Sequence, residues 1–148
     1  MAQSVTPTVI AHRSRGVVRT NITMVTDASG DASVTTVGVG FGRLVAVLYD
    51  GGLDASAVIT ITDAKSGAAV LTYTTGTEGT PVFLRPTMVI QDQAGTVVAA
   101  ADTAPNTNRD IILAGKVNVL VASGGNVETG KLSLIVDEAY VGDLAITV

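Results

Sequence analysis

The sequence predicts an all-β domain: a β-sandwich, jelly-roll-like or immunoglobulin-like, with an extended N-terminal arm. Three observations predict it. Val, Thr, Ile and Gly dominate the composition, and these are strand and turn residues. Helical periodicity is hard to find anywhere in the chain. Short strand-like runs recur at roughly 8–12 residue spacing, divided by Gly, Asp, Asn and Pro clusters. Over 148 residues that gives roughly eight to ten strands in a single domain.

Residues 1–15 read as the arm: Ser, Thr and Pro7, then His12-Arg13-Ser14-Arg15. The domain is expected over 16–148. Val17 to Val25 alternates, with Val18, Thr20, Ile22 and Met24 on one face. Asp27-Ala28-Ser29-Gly30-Asp31 is a turn, and Ser33 to Val39 a weaker strand. Arg43 to Tyr49 is apolar on both faces, as in a central strand covered on both sides or one facing a subunit interface.

Two similar hairpins are expected next. Ile59-Thr60-Ile61-Thr62-Asp63, Gly67 and Val70-Leu71-Thr72-Tyr73 form the first. Met88-Val89-Ile90-Gln91-Asp92, Gly95 and Val97-Val98 form the second. In each an Asp opens the turn and a Gly supplies positive φ. Thr103 to Asp110 is a polar loop. Ile111 to Leu113, Gly115 and Val117 to Val121 make one or two strands. Ser123-Gly124-Gly125-Asn126 with Thr129-Gly130 is a glycine-rich loop. Lys131 to Glu138 alternates, with Leu132, Leu134 and Val136 on one face. Leu144 to Val148 is a last short strand or a tail.

Charge and hydropathy narrow the function. Hydrophobic residues make up 47% and charged residues 15%, against about 25% charged in ordinary soluble domains. No apolar run approaches the ~18 residues of a transmembrane helix, and the N-terminus lacks a signal peptide's apolar stretch. No membrane role is expected, and the apolar excess points to burial against other protein. There is no cysteine, so disulfides and thiolate metal sites are excluded. Net charge is −4, unevenly spread. Arg13, Arg15 and Arg19 precede the first acid, Asp27, so 1–26 is +3; the remainder, with six basic and thirteen acidic residues, is −7. An acidic body argues against nucleic acid, which a basic folded face would bind.

No catalytic constellation is visible, and no enzyme activity, metal or cofactor is expected. His12 is the only histidine and has no acid beside it. Gly38-Val39-Gly40-Phe41-Gly42 is followed by a strand-like run rather than the helix a dinucleotide loop requires, and reads as a bend or bulge. The Asp27–Asp31 segment lacks the alternating acids of a calcium loop. Asn21-Ile22-Thr23 matches a glycosylation sequon by chance, inside a strand. Three Tyr, two Phe and no Trp leave little for stacking sugar rings. The basic arm is either a solvated terminus or a tether ordering on an acidic neighbour, and the charge contrast favours the tether.

The second half carries a further pattern. Ile61-Thr62-Asp63, Gly67 and Leu71 are followed by Pro81-Val82-Phe83-Leu84-Arg85-Pro86, then Gln91-Asp92 and Gly95. Ile111-Ile112-Leu113-Ala114-Gly115-Lys116-Val117-Asn118-Val119 comes next. Val121-Ala122-Ser123-Gly124-Gly125, Thr129-Gly130 and Lys131-Leu132-Ser133-Leu134 close it. Over 58–138 this resembles small β-rich virion proteins of tailed bacteriophages, the head decoration (cement) proteins. The aromatic run usual before the arginine is reduced here to Phe83-Leu84-Arg85, and the arm and residues 30–50 lie outside the resemblance.

The resemblance implies a structural protein, often trimeric, on the outer surface of the phage head. There it would bridge subunits of the major capsid protein. His12, Arg13, Arg15 and Arg19 are the expected capsid-binding arm. Leu44, Val45, Val47 and Leu48 are the expected homotrimer contact. The alternatives are a tail-tube or fibre-associated virion domain, which would polymerise, and a carbohydrate-binding sandwich using an exposed tyrosine such as Tyr140.

Overall fold

The computed structural model describes residues 10–14, 16–77, 79–89 and 108–138. Among these are ten strands and no helix: β1 (Ile10–Ser14), β2 (Val17–Val25), β3 (Ala32–Tyr49), β4 (Val58–Asp63), β5 (Ala69–Thr74), β6 (Val82–Leu84), β7 (Thr87–Val89), β8 (Asn108–Asp110), β9 (Ile112–Ala122) and β10 (Thr129–Asp137). The all-β expectation holds. One antiparallel sheet runs β1-β2-β10-β3-β9-β4-β5, with β6 also on β3, and β7-β8 form a separate ribbon.

Period-2 patterning sets the inward face. On β2, Val18, Thr20, Ile22 and Met24 are buried, and on β10 Leu132, Leu134 and Val136 are. Ile22 and Met24 of β2 and the three β10 residues share one core with Val117, Val119 and Val121 of β9 and Ile59 and Ile61 of β4. Strands β2 and β4 are well separated in the sheet order, so a shared core requires the sheet to close over itself as a sandwich. Tyr49 of β3 and Tyr73 of the far strand β5 meet across that core, with ring centroids 5.8 Å apart.

Strand β3 joins the two layers. Its first half, Ala32 to Arg43, pairs with β9, and its second half, Arg43 to Tyr49, pairs with β10. The sequence suggests two strands here, broken at the glycine run. Instead the strand continues through irregularities, with register shifts at Val34/Val37 and Gly38/Gly40. Gly40 takes φ +89°, which glycine adopts without penalty. At Gly42 the backbone passes directly against the Asp137 carbonyl, leaving no room for a Cβ. The glycine run is thus a bulged crossing between layers.

A second bulge corrects the interface expectation. Val136 pairs with Leu44 while Ile135 pairs with Ala46, so Val45 is skipped and strand parity flips. Leu44 and Val47 are therefore both buried in the chain's own core and cannot face a neighbouring subunit. Val45 and Leu48 are half-buried.

The expected arm boundary also meets a paired strand. Residues 10–14 form β1 in a hairpin with β2, so the 15/16 boundary falls inside a paired unit. Arg15 and residues 1–9 lie outside the described residues. So do most of the second expected hairpin, the 144–148 element and Tyr140. Met88 and Val89 pair instead with Arg109 and Asn108. The first expected hairpin is present as β4-β5.

Loops 26–31, 50–57 and 123–128 are laced together at one end. Thr26 N donates to Glu128 O, Gly124 N to Gly30 O and Asp54 N to Gly124 O. Leu53 is carried by this web into the core, where its backbone N–H donates to the Tyr49 hydroxyl at 2.9 Å. Burial holds the Tyr49 phenol above its ordinary pKa.

Candidate functional site: a cationic concavity on the outer sheet face

The face of β2, β10, β3 and β6 turned away from the core carries the other half of each alternating pattern. On β2 these are Arg19, Asn21 and Thr23, and on β10 Lys131 and Ser133. Register aligns Asn21, Ser133, Leu48 and Phe83 as successive partners across four strands. Together with Asp50 and a wall of Pro81, Val82 and Phe83, these residues line a concavity of about 560 Å³. That lies within the roughly 300–1,000 Å³ common for ligand sites.

A hydrogen-bond network fixes its polar end. Arg19 Nε donates to Asn21 Oδ1 at 3.1 Å, and Arg19 Nη2 to Ser133 Oγ at 3.4 Å. The Ser133 hydroxyl donates to the same Asn21 oxygen at 2.6 Å. Asn21 Oδ1 is thereby consumed, and its amide N–H groups are left as donors. The apolar end is Leu48 and Phe83, the latter 64% exposed on a three-residue strand.

Two arginines elsewhere are ion-paired. Arg43 bridges Asp137 at 3.2 Å and Asp110 at 3.5 Å, and Arg85 reaches Asp110 at 3.6 Å. These pairs tie the β7-β8 ribbon to the main sheet. Arg19 and Lys131, in the concavity, have no carboxylate within ion-pair distance among the described residues.

Of the expected capsid-binding residues, Arg19 lines this concavity. His12 sits opposite Arg19 in the β1-β2 register, whereas Arg13 sits opposite the buried Val18. The group is thus divided by the strand register. Of the expected trimer residues, only Leu48 reaches the site. Asn21 drew notice in the sequence only as a chance sequon, and Lys131 and Ser133 only as part of the run that closes the resemblance, none of them as a site residue. Their signal was the polar alternation opposite Val18-Thr20-Ile22-Met24 and Leu132-Leu134-Val136. Phe83 is on the surface, while Tyr49 and Tyr73 are turned inward.

The Asp27 turn is self-contained. Its carboxylate accepts from Ser29 N at 2.8 Å and Asp31 N at 3.1 Å, which hold it below the ordinary carboxylate pKa. Asp63 is similarly lowered by the Ser66 hydroxyl and backbone N–H, both at 2.7 Å. Among the described residues no three His, Asp or Glu side chains gather as metal ligands, and no helix is long and apolar enough to cross a membrane.

No protein family, curated protein or solved structure matches this chain.

Proposed function

We propose that this chain is a structural virion protein that binds the outer surface of a tailed-phage head and stabilises it by bridging subunits of the major capsid protein. The observation that carries this reading is the apolar surface left over once the core is complete. Phe41 and Leu120 are each 52% exposed, and Phe83 and Ile112 are also exposed. On the outward face of β9, β4 and β5, the register aligns Ala122, Val58 and Thr74, and beside them Leu120, Thr60 and Thr72. Lys116 is the only ionisable side chain among the outward residues of β9 from Ile112 to Ala122. Exposed apolar side chains of this size are buried most simply by other protein.

The reading needs no catalysis, cofactor or metal. One copy would bind weakly, but copies closing a shell act together. With Leu44 and Val47 buried in the core, the homotrimer contact moves to this outward β9-β4-β5 face. Arg19, with β1 beside it, faces the acidic capsid groups.

The test is co-sedimentation of the purified chain with expanded, undecorated heads of its source phage. Saturable binding at a fixed copy number per capsid subunit is expected. Absence of binding to well-formed heads sinks this reading in favour of a tail or fibre role.

A further inference from the structure

An acidic chain that pairs Arg43 and Arg85 with carboxylates leaves Arg19 and Lys131, on either side of the Asn21–Ser133 pair, without one among the described residues. Arg19 and Lys131 line one concavity, whose lining includes one acid, Asp50. Beside them stand the unused Asn21 amide donors, in a cluster whose nearest side-chain acceptor, Asn21 Oδ1, is already occupied twice. Surplus donors call for a ligand rich in acceptors, and a carboxylate matches both the charge and the fork of a guanidinium. About 14 Å away, three strand spacings along the same row, Phe83 offers an exposed ring beside Leu48.

From this geometry we infer that the concavity is a docking site for an acidic, extended peptide segment of a partner protein. It seats a carboxylate on Arg19 beside the Asn21 amide, with Lys131 adding charge at the flank, and an apolar side chain on Phe83. In an extended chain, side chains four residues apart lie on one side at about 13 Å, which matches the span between the two ends. A small carboxylate could satisfy only the polar end, because the apolar end at Leu48 and Phe83 lies two to three strand spacings away along the row. A nucleic-acid strand carries a charge at every nucleotide, more than Arg19 and Lys131 neutralise on a chain of net charge −4. The inference deepens the capsid reading by naming the chemistry of the partner, and depends on that reading only for who supplies the peptide.

The experiment is a titration of the isotopically labelled full chain, followed by backbone amide resonances, with the peptide acetyl-Glu-Ser-Val-Ser-Leu-amide. Its Gln counterpart and a thymidine hexanucleotide serve as controls. Saturable shifts are expected at Asn21, Leu48, Phe83, Lys131 and Ser133. The Gln peptide should bind about tenfold more weakly. Arg19→Gln and Lys131→Gln should each weaken binding several-fold with the remaining spectrum unchanged, and Phe83→Ala should weaken both peptides. Equal binding of the Glu and Gln peptides overturns the inference. So does preference for the oligonucleotide, or self-association that Arg19→Gln abolishes while the peptide has no effect. Peptide binding without head binding leaves this site standing and sinks the capsid reading. Head binding unaffected by Arg19→Gln together with Lys131→Gln, with no peptide binding, does the reverse.

Discussion

Thr20 and Thr26 are both fully buried, yet their hydroxyls meet opposite fates, and the same substitution should therefore have opposite signs at the two positions. Thr20 lies on the inward face of β2, paired in register with Leu134, and its Oγ1 has no hydrogen-bond partner. Thr26 Oγ1 donates to Gly125 O at 2.6 Å and accepts from Glu128 N at 2.8 Å. A buried hydroxyl without a partner costs about 1–3 kcal/mol, and Val keeps the branched shape while removing it. Thr20→Val should stabilise the fold by about 1 kcal/mol and raise Tm by about 3 °C for a chain of this size. Thr26→Val strands Glu128 N and Gly125 O and should cost about 2 kcal/mol. Urea unfolding of the two variants reads both effects as midpoint shifts at constant slope. A Thr20→Val protein no more stable than the parent would refute the reasoning, because it would mean that an internal water already satisfies the hydroxyl.

Two other tests address the crossing strand and the acid limb. Gly42→Ala puts a Cβ onto the Asp137 carbonyl oxygen, a backbone atom that no rotamer change can move, and should destabilise by more than about 2 kcal/mol. Gly38→Ala meets nothing within 4 Å and should stay within about 0.5 kcal/mol, both read by denaturant unfolding. Asp27, its folded pKa lowered by the Asp31 and Ser29 amides, contributes stability that is present above its unfolded-state pKa and is lost as pH falls through the folded one. An NMR titration should place its midpoint below the ordinary carboxylate value, and Asp27→Asn should remove that part of the acid limb.

What was legible in the sequence was whatever repeats with period two. Strands β2 and β10 and the β4-β5 hairpin follow from alternation and from an Asp–Gly turn, and on β2 and β10 the inward residues are the ones the pattern names. The fusion of 32–49 into one strand was not legible. Glycine-rich stretches usually end strands, and only the close approach of Asp137 to Gly42 explains why this one continues. The strand order was equally hidden. Strand β10 sits between β2 and β3, and β3 between β10 and β9, so two loop-connected strand pairs interleave, a pairing that local propensity does not encode. That order also creates the concavity, since Arg19 and Asn21 reach Ser133 only because β10 enters beside β2. Leu44 and Val47 were misplaced for the same reason: a bulge at Val45 reverses parity, and a linear pattern carries no sign of where the extra residue goes.

Bridging demands two contact surfaces that face apart, and the sandwich supplies a physical basis for them. Strands β2 and β10 form one layer and β9, β4 and β5 the other, with the core between, so their outward faces point in opposite directions. The first carries Arg19 and Lys131 without ion-pair partners among the described residues, and the second is nearly uncharged around Leu120. The chemistry of the two faces differs, so a partner fitted to one is poorly fitted to the other. An acidic segment placed on the β9-β4-β5 face would surrender hydration for little Coulombic return from a single Lys116. A neutral sheet placed over Arg19 and Lys131 would desolvate two cations without an anion. On the proposed reading this asymmetry orients each copy: the cationic face turns toward an acidic partner, and the neutral face is left for contact with another copy.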